Sequence, residues 1–129
     1  MTHRFQCRVY YEDTDFGGIV YYANYLKFIE RARSEWVRAL GLDQRAMKEG
    51  AGTVFAVRRI TAEYLSPARF DDLLDVETEV VSVRPARMTL RQRVLREGVV
   101  LFDAEVELVA IGPEGRPVRL PEVLRALAG

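Results

Sequence analysis

The chain has 129 residues, 49% of them hydrophobic, and balances 19 Lys+Arg against 19 Asp+Glu. That composition is expected to give a single globular domain over residues 1–129, and the charge balance argues against nucleic acid or an anionic membrane as a partner. No apolar run approaches the roughly 20 residues of a membrane span, Met1–Cys7 has no apolar signal core, and one cysteine cannot form an internal disulfide, so the cytoplasm is the expected compartment.

Phe5 to Tyr11 reads as a first strand, bounded by an acidic turn. Asn24 to Leu40 reads as a helix. Tyr25, Ile29, Ala32, Trp36 and Leu40 fall on one face, and Leu26, Phe28 and Val37 widen it. Gly41 stops that helix, and Asp43 caps a short one that runs to Glu49 and ends at Gly50. From Thr53 the pattern becomes β-rich and runs to Tyr64. Leu74, Val76, Thr78 and Val80 then alternate with acidic residues, Met88, Leu90, Gln92 and Val94 with Arg and Thr, and Phe102 to Ala110 with Asp and Glu. These patterns predict antiparallel strands with one solvated face. Leu120-Pro121 to Ala128 reads as a terminal helix with Pro121 in its first turn. An α+β fold follows, with the sheet wrapped around the long helix.

Charge also predicts register. Opposing Glu79 to Arg91, Glu77 to Arg93 and Val80 to Leu90 leaves the loop Arg84-Pro85-Ala86. A one-residue slip would face the glutamates with Met88, Leu90 and Val94. Gly98 marks the next hairpin turn.

The chemistry available to this chain is narrow. His3 and Cys7 are the only residues of their types, which disfavours Ser-His or Cys-His catalysis and a His/Cys metal site; no metal and no cofactor are expected. What remains is Glu12-Asp13-Thr14-Asp15-Phe16-Gly17-Gly18-Ile19-Val20-Tyr21-Tyr22, two aspartates and a Gly-Gly turn placed just before the long helix. A helix start offers unpaired N–H groups and a partial positive charge, which can polarise a carbonyl, and a nearby carboxylate can act as base or nucleophile. Asp13 is read as a turn residue, Asn24 as a helix cap ahead of a group that orients a neighbour, and Glu30 with Arg33 as an ordinary helix pair.

The run Tyr11-Glu12-Asp13-Thr14-Asp15, Gly18-Ile19-Val20-Tyr21, Asn24-Tyr25, Glu30 and Arg33 resembles the hotdog-fold thioesterases of the 4-hydroxybenzoyl-CoA thioesterase family. Glu63-Tyr64-Leu65-Ser66-Pro67-Ala68-Arg69-Phe70-Asp71-Asp72 resembles that family's second strand-to-loop segment. The resemblance implies a five- or six-stranded antiparallel sheet around one long central helix, a dimer with joined sheets that pairs again into a tetramer, and sites at the dimer interface. It implies hydrolysis of an acyl-CoA thioester, with CoA as part of the substrate. Asp15 matches the family's catalytic aspartate, and the Tyr22 backbone N–H is expected to polarise the carbonyl. Many members acting on aliphatic chains carry histidine where this chain has Tyr22; the branch acting on 4-hydroxybenzoyl-CoA resembles it in having tyrosine.

Gly18, Ile19 and Val20 are expected to line the thioester, and Arg59, Arg84, Arg87 and Arg119 to meet the acyl-CoA and its phosphates. Arg91 and Arg93 are expected to face acidic strand residues instead. A non-catalytic acyl-CoA or acyl-carrier binding module on the same fold is the alternative, and Asp15 argues against it. A dehydratase ranks last, because His3 is badly placed to serve one.

Overall fold

The computed structural model describes residues 2–128. Along the chain run strand β1 (His3–Arg8), helix α1 (Asn24–Ala39), helix α2 (Gln44–Glu49), strands β2 (Val54–Tyr64), β3 (Leu73–Val83), β4 (Arg87–Arg96) and β5 (Val99–Ile111), and helix α3 (Glu122–Arg125). The strands form one sheet in the order β1-β3-β4-β5-β2, and every neighbouring pair is antiparallel.

Alternation decides which side of the sheet receives α1. Leu74, Val76, Met88, Leu90, Val94, Phe102, Ala104 and Val106 are buried, and α1 meets them with Phe28, Ile29, Ala32, Trp36 and Val37. Leu26 does not join this face. It is 41% exposed, because it sits about 100° around the helix from buried Tyr25. Gly41, at φ +88°, ends α1 in a conformation that costs glycine little. The Asp43 carboxylate accepts the Ala46 N–H at 3.1 Å and starts α2 as expected.

The charge-matched register is present. Glu79 opposes Arg91, Glu77 opposes Arg93 and Val80 opposes Leu90, with Arg84-Pro85-Ala86 as the connection. A bulge follows Val80 before Ser82 pairs with Thr89. Arg91 and Arg93 do face acidic neighbours: Arg91 grips both oxygens of Asp103 at 3.1 and 2.7 Å, and Arg93 reaches Glu79 at 3.8 Å.

Two boundaries differ from expectation. The first strand spans His3–Arg8, not Phe5–Tyr11. The Val9 N–H already bonds the Asp72 carbonyl, and Tyr11–Asp13 coil into a 3₁₀ turn, leaving Tyr11 stacked on Phe70 with centroids 4.5 Å apart. The terminal helix is only Glu122–Arg125, with Pro121 preceding its first turn instead of lying in it.

Strand β2 forms one edge of the sheet, and its residues Val57 to Thr61 are exposed on both faces. No helix among the described residues is long and apolar enough to cross a membrane.

Candidate active site

The acidic turn is built around Asp13. Its carboxylate accepts the Tyr10 N–H at 2.8 Å, its carbonyl accepts the Tyr21 N–H at 2.9 Å, and it is buried. Asp13 is thus a structural residue, as its turn position suggested. Asn24 does not cap the helix but orients a neighbour, its other expected role: its side-chain amide donates to the Asp13 carbonyl at 2.9 Å, tying the turn to the helix entry.

Beyond Asp13 the chain closes on itself. The Asp15 N–H donates to the Ile19 carbonyl at 2.9 Å, and the Gly18 N–H donates to the Asp15 carbonyl at 3.0 Å. The turn requires φ +79° at Gly18, which glycine adopts without a side-chain clash. Gly17 donates its N–H to the Asp15 carboxylate at 2.8 Å, orienting that group. The Val20 N–H then bonds the Ala68 carbonyl at 2.8 Å, and Ile19 bridges Arg69. The 66–72 loop is fixed in turn by Asp72, whose carboxylate accepts from the Arg69 N–H and from Arg96, each at 2.8 Å. Burial works to raise the Asp72 carboxyl, but those two donors outweigh it and hold it below its ordinary value.

These segments enclose a cavity of about 360 Å³. Asp15, Ile19, Val20 and Tyr22 line it together with Tyr21, Tyr25, Tyr64, Leu65, Ser66 and Pro67. Tyr64 donates its hydroxyl to the Tyr22 carbonyl at 2.9 Å, and the Tyr25 hydroxyl accepts the Ala68 N–H at 3.0 Å. Burial pushes both hydroxyls above the ordinary tyrosine value, keeping them neutral. The Tyr22 N–H meets no acceptor among the described residues. A neutral peptide donor at a helix entry, an oriented carboxylate and an aromatic wall therefore share one opening. That arrangement can hold an acyl carbonyl and stabilise negative charge developing on its oxygen.

A family model described as the thioesterase superfamily matches residues 17–102. The chain belongs to the thioesterase superfamily. Among relatives of this superfamily member, the acyl-CoA thioester hydrolase YbgC of Escherichia coli O6:H1 is 42% identical over 125 residues, covering 95% of this chain and 92% of that protein. A crystal structure of a probable thioesterase from Bartonella henselae is 40% identical, with TM-score 0.90, covering 94% of this chain and all of that one. A structure of 4-hydroxybenzoyl-CoA thioesterase superposes with TM-score 0.91 at 23% identity, covering 99% of each chain, a likeness of fold. The α+β architecture is the hotdog fold of this superfamily.

The expected ligand arginines of this thioesterase-superfamily chain lie elsewhere. Arg84 and Arg87 line a second cavity of about 600 Å³ with Arg58, Pro85 and Pro117, and it shares no lining residue with the first. Arg58 is paired with Glu107, and Arg87 lies 3.9 Å from the same carboxylate. The Arg58 bond holds the Glu107 carboxyl below its ordinary value. Arg119 is exposed and borders neither cavity, though the next residue, Leu120, donates its N–H to the Pro85 carbonyl at 2.8 Å. Arg59 is exposed on β2 and borders neither. Gly18 shapes the Asp15 turn without lining the cavity.

Glu30 and Arg33 do not pair. Glu30 accepts the Ser34 hydroxyl at 2.8 Å, while Arg33 turns inward to Gln92. His3 and Cys7 are committed to β1, opposite Thr78 and Leu74. Among the described residues, no group of three or more His, Cys, Asp or Glu could hold a metal ion. The residues that sequence reasoning did not place in the site are Tyr64 to Pro67, together with Tyr21 and Tyr25. The signal lay in Tyr64-Leu65-Ser66-Pro67, the end of a strand running into a proline-bearing loop directly after the β-rich run.

Proposed function

We propose that this chain hydrolyses acyl-CoA thioesters to a free acid and CoA. The observation that carries this reading is that the Asp15 carboxylate and the Tyr22 residue with its unpaired N–H line one cavity. The YbgC name, which describes an acyl-CoA thioester hydrolase, supports it. The thioester carbonyl accepts the Tyr22 N–H. Asp15 then either attacks the carbonyl carbon, expelling CoA thiolate and leaving a mixed anhydride that water hydrolyses, or takes a proton from the water that attacks directly. Thiolate leaves without a strong general acid, which suits a cavity lined by tyrosines and one aspartate.

Ile19 and Val20 form the wall nearest the thioester, and Gly18 holds the turn that presents them. Arg87 and Arg119, with Arg84 beside them, receive the CoA phosphates, and Arg59 reaches the ligand from β2. Their separation from Asp15 within one chain is resolved in a homodimer whose site draws on both subunits, itself pairing into a tetramer. The edge position of β2 supports this, because Val57 and Ile60 expose apolar surface beside unpaired strand N–H and C=O groups. The enzyme works in the cytoplasm, as one domain, with no metal or added cofactor.

The test is thiol release from a panel of aromatic, short and medium acyl-CoAs. Asp15→Asn keeps an oxygen for the Gly17 N–H, so the fold should survive while turnover falls by at least about 100-fold. Near-normal hydrolysis by that variant would defeat the mechanism. Tight CoA binding with no hydrolysis by the native chain would favour the binding-module alternative.

A further inference from the structure

From the geometry we infer that Tyr64 is a positioning residue, whose hydroxyl holds the main chain at Tyr22 so that its N–H faces the reacting carbonyl. This rests on the thioester-hydrolase reading above and extends it to a residue on a different element. Tyr64 is the last residue of β2, whereas Tyr22 lies two residues before α1.

The two peptide groups flanking Tyr22 are each held by one bond. A peptide is planar and trans, so its C=O and N–H point in opposite directions. The Asn24 N–H donates to the Tyr21 carbonyl at 2.8 Å, drawing that carbonyl along the helix. The N–H on the same peptide, that of Tyr22, is therefore directed back out of the helix start. The next peptide carries the Tyr22 carbonyl, and the Tyr64 hydroxyl donates to it at 2.9 Å. Fixing both planes fixes the two torsions of Tyr22 between them. The first bond is an ordinary helix-entry bond within the segment. The second comes from outside it.

Tyr64 is suited to act as a fixed post. Its ring meets Tyr25 at 5.6 Å, Phe102 at 5.0 Å and Tyr22 at 6.2 Å, all edge-to-face. Phe102 is fully buried and Tyr25 nearly so, so the ring rests on the core while its hydroxyl stands at the cavity wall. Burial and then the neighbouring Tyr22 push that hydroxyl above the ordinary tyrosine value, so it remains a donor across the neutral range. Position matters because the worth of an oxyanion donor depends on where it points before the reaction begins.

Tyr64→Phe tests this, since it keeps the ring contacts and deletes one oxygen. The expected result is a three- to tenfold fall in kcat with KM within twofold of the native value, and a displaced amide signal for Tyr22 in an ¹H–¹⁵N spectrum. Unchanged kcat, or a change confined to KM, overturns the inference, because a residue acting only as packing or as a substrate wall gives those results. The thermal midpoint of the same variant shows that it is folded. If the native chain hydrolyses no acyl-CoA in the panel, the reaction assignment fails separately. The Tyr22 amide signal then judges the Tyr64 hold by itself: displacement upholds it and an unmoved signal overturns it.

Discussion

Gln92 occupies an inward position on β4 that its neighbours Leu90 and Val94 fill with apolar side chains, and it is fully buried. Its Nε2 donates to the Ile29 carbonyl and to the Thr78 hydroxyl, each at 2.9 Å, and its Oε1 accepts from Arg33 at 3.0 Å. Gln92→Leu should be costly for a reason specific to this geometry. Two neutral bonds contribute about 1 kcal/mol each, and the bond to a charged partner about 1.5–3 kcal/mol. Added apolar burial returns about 1 kcal/mol. The net loss is about 3 kcal/mol, equal to a fall of about 1.5 M in the urea midpoint at a slope near 2 kcal/mol per M. Arg33→Met alone should cost about 1.5 kcal/mol, because it leaves the Gln92 oxygen without its donor. The double variant removes both partners together. It should cost about 2 kcal/mol, well short of the sum of the single losses, giving a coupling of about 2.5 kcal/mol. Burial already works against the Arg33 charge, lowering its affinity for the proton, with Glu30 only partly compensating. The measurement is urea unfolding of all four proteins at one fixed chain concentration. Single losses that add to within about 0.5 kcal/mol would refute the idea that Gln92 solvates a half-buried guanidinium.

Two further outcomes follow from the turn and the sheet surface. Gly18→Ala meets no atom within 4 Å, so its whole penalty is the left-handed backbone, about 1–2 kcal/mol, and Gly18→Asn should recover part of it; an alanine variant that melts with the native protein would contradict this. The Asp103 carboxyl is held below its ordinary value, first by its bond from Arg91 and also by Arg93 nearby. The stability it contributes is complete above about pH 4 and disappears as pH falls through the depressed folded value. Asp103→Asn should therefore lose about 0.5–1 kcal/mol at pH 6, and the gap in urea midpoint should close toward pH 3; a gap that widens in acid would reverse the sign of the argument.

Much of this fold is written in local patterns. The α1 face, the Asp43 cap and the pairing of Glu77 and Glu79 with Arg93 and Arg91 all arise from spacing and charge, which act over a few residues or across one ladder. The family motif likewise singled out Asp15 and the Tyr22 main chain, which the fold brings to one cavity. Tertiary contact overrode local preference elsewhere. Tyr10 and Tyr11 look like strand residues, but Val9 already bonds Asp72 and Asp13 claims the Tyr10 N–H. Arg33 has Glu30 within helical reach, yet it packs inward onto Gln92, a residue 59 positions away. Tyr64 could not be tied to Tyr22 from sequence, since nothing local indicates that the end of β2 lies against the start of α1.

The closed turn from Asp15 to Ile19 bears on how the protein meets a ligand. With its ends bonded to each other, its neighbour Val20 bonded to Ala68 and Ile19 paired opposite Arg69, the segment is ordered before anything binds. Restricting a backbone residue costs about 1–2 kcal/mol, and here that cost falls once, on folding, not on every encounter. Capture then leaves the conformational entropy of this loop almost unchanged. The protein should behave as a preshaped receptor that discriminates among acyl groups by fit, with association rates insensitive to their length until the far wall of the cavity is reached.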